Sequence, residues 1–280
     1  NFGFMTALSA DGNTMAVSAN FEASSTTGIN GNQDDDSIPQ AGAVYIFVRD
    51  DDRNWYQQAY LKAPNADSED YFGYSVAVAG DSVVVGAPSE DGNGTDASNN
   101  SSTESGAAYV FERDSDTWIL QAYLKASTPD PEDYFGYSVA IHGDAVVVGA
   151  TGEDSNATGV GGDGSNDSLS DSGAAYVFAR DDDTWTEQAY LKASNAGEGD
   201  YFGHSVGISG NTIVVGAPYE DSDATSVDGS ESDNSATYAG AAYIYRRTGN
   251  TWRSQSYLKA SNSDEGDNFG YSVAVDGTTV

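Results

Sequence analysis

The chain of 280 residues has no cysteine, and that absence removes disulfides, thiolate metal sites and a cysteine nucleophile together. It leaves the compartment open, since proteins outside the cell also fold without disulfides. Basic residues are scarce: 11 Lys and Arg stand against 44 Asp and Glu, for a net charge of −33. A surface so negative repels nucleic acid and anionic lipid, and neither is expected as a partner. No apolar run approaches the ~20 residues that span a bilayer, so no membrane insertion is expected. The Gly-x-Ser-x-Gly elbow, the His-Glu-x-x-His pair and the phosphate-binding loop are missing too. Carboxylate pairs of the kind used in glycoside hydrolysis occur throughout and therefore mark no particular place. The expectation is a protein that is not an enzyme. The chain also lacks an initiator Met and a signal peptide and stops inside a repeat, so an internal or processed piece of a longer protein is expected.

What the chain has in abundance is repetition. Phe72-Gly73-Tyr74-Ser75-Val76-Ala77-Val78, followed by Val83-Val84-Val85-Gly86-Ala87-Pro88, returns as Phe135-Gly136-Tyr137-Ser138-Val139-Ala140-Ile141 with Val146-Val147-Val148-Gly149-Ala150. It returns again as Phe202-Gly203-His204-Ser205-Val206 with Ile213-Val214-Val215-Gly216-Ala217-Pro218. A worn copy opens at Phe2-Gly3, and a last one starts at Phe269-Gly270. Trp55, Trp118, Trp185 and Trp252 keep the same beat, as do Lys62, Lys125, Lys192 and Lys259. The chain is thus read as one repeat domain over 1–280, with repeats 2–71, 72–134, 135–201 and 202–268 and a partial one at 269–280. His142 and His204 hold different places in their repeats, so each reads as an ordinary strand or turn residue.

Each repeat reads as four short strands. The first follows Phe-Gly and alternates in polarity; a Gly-Asp or Gly-Asn turn (Gly80-Asp81, Gly143-Asp144, Gly210-Asn211) folds it back into the second. That second strand is nearly all Val, the pattern of a strand buried on both faces. The third runs Gly-Ala-Ala-Tyr-Val-Phe from Gly106 and Gly173, with variants from Gly42 and Gly240. A charged turn, Arg49 to Arg53, Arg113 to Asp116 or Arg180 to Asp183, leads to the fourth, typified by Trp185 to Lys192. No stretch shows a helical period, so the fold class is all-β. Four-stranded antiparallel units repeated around an axis describe the blades of a β-propeller, here four complete repeats plus the start of a fifth.

Phe-Gly-x-Ser-Val-Ala followed by Val-Val-Gly-Ala-Pro resembles the FG-GAP repeat of the integrin alpha-chain β-propeller and of many bacterial surface proteins, over essentially all 280 residues. The resemblance implies a propeller, commonly seven-bladed in integrins, with about three blades outside this piece. It also implies an extracellular or cell-surface setting in a bacterium. The family's Asp-x-Asp-x-Asp-Gly calcium loop between the first two strands is missing, and calcium sites of that kind do not carry over to the tight turns.

The acidic residues are placed with a parity. Long acidic loops join the second and third strands. Acidic spacers (Asp67, Glu69, Asp70; Asp130, Glu132, Asp133; Glu198, Asp200; Asp264, Glu265, Asp267) join the fourth strand to the next repeat. Both connections leave an up-and-down sheet at the same end, so one face is expected to be long-looped, intensely negative and the place of binding. In the third loop Asp163, Ser165, Asp167 and Asp171 stand at positions 1, 3, 5 and 9, with the Leu169 carbonyl at 7, the oxygen set that Ca²⁺ takes from a loop. In the first loop Asn32, Asp34, Asp36 and Gln40 stand at the same places; in the fourth, Ser230, Ser232 and Asn234 are followed by Tyr238. Asp, Ser, Asn and Gly are equally what any solvated loop is made of. The pairs Glu90-Asp91, Glu153-Asp154 and Glu220-Asp221 read as caps of backbone amides, with metal ligation as the alternative.

The repeated Trp reads as packing rather than a sugar platform, and the repeated Lys as a strand-end residue whose amine meets the acidic spacer. Triplets at Asn93, Asn100, Asn156 and Asn166 match the N-glycosylation pattern, which carries no meaning in a bacterial protein. Together these features lead to the expectation of an extracellular adhesion module, stabilised by Ca²⁺, whose partner is a protein or glycan at a cell surface. The alternatives are a fibre or sheath subunit pairing with copies of itself through open strand edges, and an accessory propeller of a larger enzyme.

Overall fold

The computed structural model describes residues 1–94 and 97–280; the Asn93-Gly94-Thr95 triplet therefore ends outside the described residues. Among the described residues all regular structure is strand, in four four-stranded sheets. The first contains β1 (Thr6–Leu8), β2 (Thr14–Ala19), β3 (Ala43–Arg49) and β4 (Trp55–Leu61), and the second β5 (Ser75–Ala79), β6 (Ser82–Ala87), β7 (Ala107–Asp114) and β8 (Thr117–Leu124). The third contains β9 (Phe135–His142), β10 (Ala145–Ala150), β11 (Ala174–Asp181) and β12 (Thr184–Leu191), and the fourth β13 (Ser205–Ser209), β14 (Thr212–Ala217), β15 (Ala241–Thr248) and β16 (Thr251–Leu258). Within each sheet the strands neighbour one another in chain order. The chain divides into two compact units, Asn1–Gly143 with Asp181–Trp185, and Asp144–Arg180 with Thr186–Val280.

The all-Val strands take the innermost places. β6, β10 and β14 are buried at all six positions, as a β-branched run without polar alternation requires. In the second sheet Val83, Val84 and Val85 of β6 pair with Phe111, Val110 and Tyr109 of β7. The third strands run further than their apolar part suggests: β7 continues through Arg113 to Asp114 and β11 through Arg180 to Asp181, which shortens the expected charged turns to two residues. Arg113 uses that extension to donate Nε–H to Asp81 Oδ1 (2.8 Å) and to stack over Trp118.

The Phe-Gly pair is a joint between successive repeats. Phe72 forms a parallel bridge with Gly42 of the repeat before it, and Phe135, Phe202 and Phe269 do the same with Gly106, Gly173 and Gly240. The Phe72 ring meanwhile packs edge-on against Tyr109 and Phe111 of its own sheet. Backbone and ring therefore belong to different repeats. The approach leaves no room for a side chain: a Cβ on Gly106, at φ +79°, would lie 2.1 Å from the Phe135 carbonyl oxygen.

A second joint uses the repeated Trp. Trp118 Nε1–H donates to Gln58 Oε1 (2.9 Å), Trp185 to Gln121 (2.7 Å) and Trp252 to Gln188 (2.7 Å), each Gln lying in the repeat before. The indole is packing, as expected, and it carries a polar link besides.

Candidate functional site

The long loops and the acidic spacers leave each sheet at one end, and the base of each long loop is built from buried charge. Lys62, Lys125, Lys192 and Lys259 all lie in the interior. Their ammonium groups were expected to meet the acidic spacer. Instead each donates to the Glu that follows the second strand: Lys62 to Glu22 Oε2 (2.9 Å), Lys125 to Glu90 (3.0 Å), Lys192 to Glu153 (2.5 Å) and Lys259 to Glu220 (2.8 Å). The correction has a simple cause. An ion taken out of water needs a full counter-charge and saturated hydrogen bonds, and the spacer carboxylates are occupied by their own backbone. Tyr123, Tyr190 and Tyr257 each donate their hydroxyl to the other oxygen of the same Glu (3.0, 2.6 and 2.9 Å). Ser105 Oγ and Ser172 Oγ accept from Lys125 and Lys192 (2.8 and 2.7 Å). Burial holds the Lys62 and Lys125 ammonium groups below the usual lysine range, against the pull of the paired Glu.

In the second, third and fourth repeats the acid next to the Glu caps a backbone amide. Asp91 Oδ1 accepts from the N–H of Glu104 (2.8 Å), Asp154 from Asp171 (2.7 Å) and Asp221 from Tyr238 (2.8 Å). Each capped residue has left-handed backbone, φ 53°, 54° and 58°. Its carbonyl then accepts from the residue before the next Phe: Tyr134 on Glu104 (3.1 Å), Tyr201 on Asp171 (3.0 Å) and Asn268 on Tyr238 (2.9 Å). The Glu-Asp pair thus divides its labour, Glu holding the loop base and Asp closing the loop onto the next repeat.

In the spacers, Asp70, Asp133, Asp200 and Asp267 accept from the N–H three residues earlier (2.7, 2.9, 2.7 and 3.0 Å). Asp70 and Asp200 are buried, and burial, reinforced by Glu90 and Glu220, pushes both carboxyls up to about 7.

The predicted calcium residues lie higher in the loops. Asp163, Ser165 and Asp167 are exposed, Leu169 and Asp171 half-buried. Ser165 donates N–H (3.0 Å) and Oγ–H (2.6 Å) to Asp163 Oδ1, holding that carboxyl below its usual range. The Leu169 carbonyl accepts from the Ser172 N–H (3.3 Å). In the first loop Asn32, Asp34 and Asp36 are exposed, and Asn32 Oδ1 accepts from the Asp34 N–H (3.1 Å). The ordering carboxylate there is Asp35, which accepts from the Ser25 N–H (2.8 Å) and the Ser37 hydroxyl (3.0 Å). Among the described residues no group of three or more His, Asp or Glu is gathered to hold a metal ion. Of the predicted ligand side chains, Asp163 thus accepts from Ser165 and Asn32 from the Asp34 amide.

The Lys–Glu pairing escapes sequence reading because the partners stand 40, 35, 39 and 39 residues apart, across loops of unequal length. Their shared period is the signal that could have linked them.

A family model described as the FG-GAP repeat matches residues 55–111, 118–178, 185–245 and 252–280. Each matched segment opens on the repeated Trp, and the first three run through the joint to the third strand of the next sheet. No curated protein matches the chain.

Proposed function

Since the chain belongs to the FG-GAP repeat family, we propose that its sheets are the blades of a β-propeller and that it is a non-enzymatic adhesion module working outside the cell. One observation carries this reading: the same buried Lys–Glu pair recurs beneath loops of differing length and sequence. A rigid scaffold with divergent loops is the arrangement of a binding protein. The partner is a protein or glycan at a cell surface, met by the long-looped end.

The direct test is retention of the labelled 280-residue chain on intact cells and on immobilised mucin and collagen. Retention above that of an equally acidic control protein is expected; none on any surface would remove the reading. Calcium enters as a stabiliser of the third loop, where Asp163, Ser165, Asp167 and Asp171 would have to draw together around it. Calcium against a chelator is then expected to raise the melting temperature, and Asp167→Ala to cancel the rise.

A second reading, assembly of copies into a fibre, is favoured by one face of the first sheet. Trp55 is 42% exposed where Trp252 is 2% exposed, and Phe2 and Leu8 of the same repeat are exposed too. Gln255, the counterpart of Gln58, Gln121 and Gln188, is also exposed. A Trp55 from one copy on Gln255 of another would repeat the internal joint. Light scattering that falls to the monomer value on dilution, or is unchanged by Trp55→Ser, would argue against it.

A further inference from the structure

The first unit contains a cavity of about 380 Å³ that the loop chemistry above does not use. Six rings line it: Phe4, Phe21, Tyr71, Tyr74, Tyr134 and Tyr137. Phe4, Tyr74 and Tyr137 follow the Phe-Gly pairs and lean on one another, Phe4 to Tyr74 at 5.5 Å and Tyr74 to Tyr137 at 5.0 Å, tilted by 50° and 49°. Tyr71 and Tyr134 precede the next Phe-Gly pairs, with left-handed backbone at φ 54° and 56°. The size lies within the range of small-ligand pockets.

Asn20 also lines this cavity. It is 2% exposed, and its Oδ1 accepts no hydrogen bond. A buried carbonyl oxygen without a donor is costly, and such groups in native proteins call for an explanation. Asn20 stands directly after the second strand, where the later repeats have Pro88, Thr151 and Pro218. The unsatisfied acceptor is therefore particular to the repeat that opens the cavity.

We propose that this cavity binds a neutral pyranose sugar, its C–H faces against the tilted rings and one hydroxyl donating to Asn20 Oδ1. Three features select that class. No lining side chain is charged, so an ion entering would lose water without gaining a counter-charge. A purely apolar guest would leave Asn20 unsatisfied. A proline-rich peptide brings few N–H donors to an acceptor that needs one. A sugar ring combines apolar faces with hydroxyl donors, and tyrosine offers it both an apolar body and a polar tip. The inference rests on the adhesion reading and names a ligand class for it.

The test uses saturation-transfer NMR and calorimetry on the whole 280-residue chain with methyl glycosides of glucose, galactose, mannose and N-acetylglucosamine. Tetramethylammonium chloride and a proline-rich peptide are run alongside. At least one glycoside should show transfer to its ring C–H protons. Asn20→Ala, which breaks no internal hydrogen bond of Oδ1, should weaken it about three- to tenfold, and Tyr74→Ala should remove the transfer. Unchanged melting of Asn20→Ala shows that the fold is intact. The proposal is overturned if no glycoside binds, if only the ammonium ion or the peptide binds, or if both variants bind the sugar as the parent does. Retention on cells measured in parallel separates the two readings. Adhesion that persists in Asn20→Ala and under excess glycoside sinks the sugar site alone, whereas sugar binding without adhesion sinks adhesion alone.

Discussion

Glu153 and Lys192 lie inside the protein with their charges matched, Tyr190 on one carboxylate oxygen, Lys192 on the other, and Ser172 on the ammonium. Removing one partner strands the other, so Glu153→Leu alone should cost about 3–5 kcal/mol in urea denaturation. Pairing it with Lys192→Met should recover most of that loss; additive losses would show that the pair does not act as a unit. Asp70 and Asp200 behave differently because their carboxyls are raised to about 7 from an ordinary 3.8. Between those limits the folded state holds protons that the unfolded chain has released, so their contribution favours folding at low pH and is lost as pH rises through about 7. Melting temperature is therefore expected to fall from pH 5 to pH 8 by less in Asp70→Asn/Asp200→Asn than in the parent. The amide keeps the cap on Asp67 and Gly197, and equal slopes would refute the assignment.

The Phe-Gly joint makes a contrast between two glycines. Gly106 at φ +79° faces the Phe135 carbonyl, whereas Gly80 at φ +57° has open space around its missing Cβ. Gly106→Ala should cost more than about 2 kcal/mol and speed hydrogen exchange around Phe135, while Gly80→Ala should cost about 1 kcal/mol from its backbone conformation alone. Comparable losses at both positions would mean that the close approach is not what holds the joint. The strands themselves are legible in the sequence, because alternation, Val runs and Gly-Asp turns are short-range signals. Gly106 as the seat of Phe135 is not: the contact crosses a repeat boundary, and a glycine before a strand reads equally well as a turn. Asp91 as a cap is legible from residue type; Glu90 as partner of Lys125 is not, since local pattern carries no distance information across a variable loop. Asn20 shows only as a missing proline until burial reveals its orphaned oxygen.

A net charge of −33 concentrates its effect where the long loops and spacers emerge. Self-repulsion on that scale weakens the folded state at low ionic strength, so melting temperature is expected to rise from a few millimolar salt to ~0.15 M, where the Debye length is about 8 Å. A flat response would place the acids too far apart to matter. The Phe-Gly joint carries a last consequence, for how such a chain could grow. Because Phe72 bridges Gly42 while its ring lies against Tyr109, a gene duplicated from one Phe-Gly to the next would be cut through its own seam. A duplication cut in two equivalent acidic loops would move a joint whole, with both sides already fitted to each other. The tolerant loops are in that sense the natural splice points of the chain, and lengthening it there asks nothing new of the core.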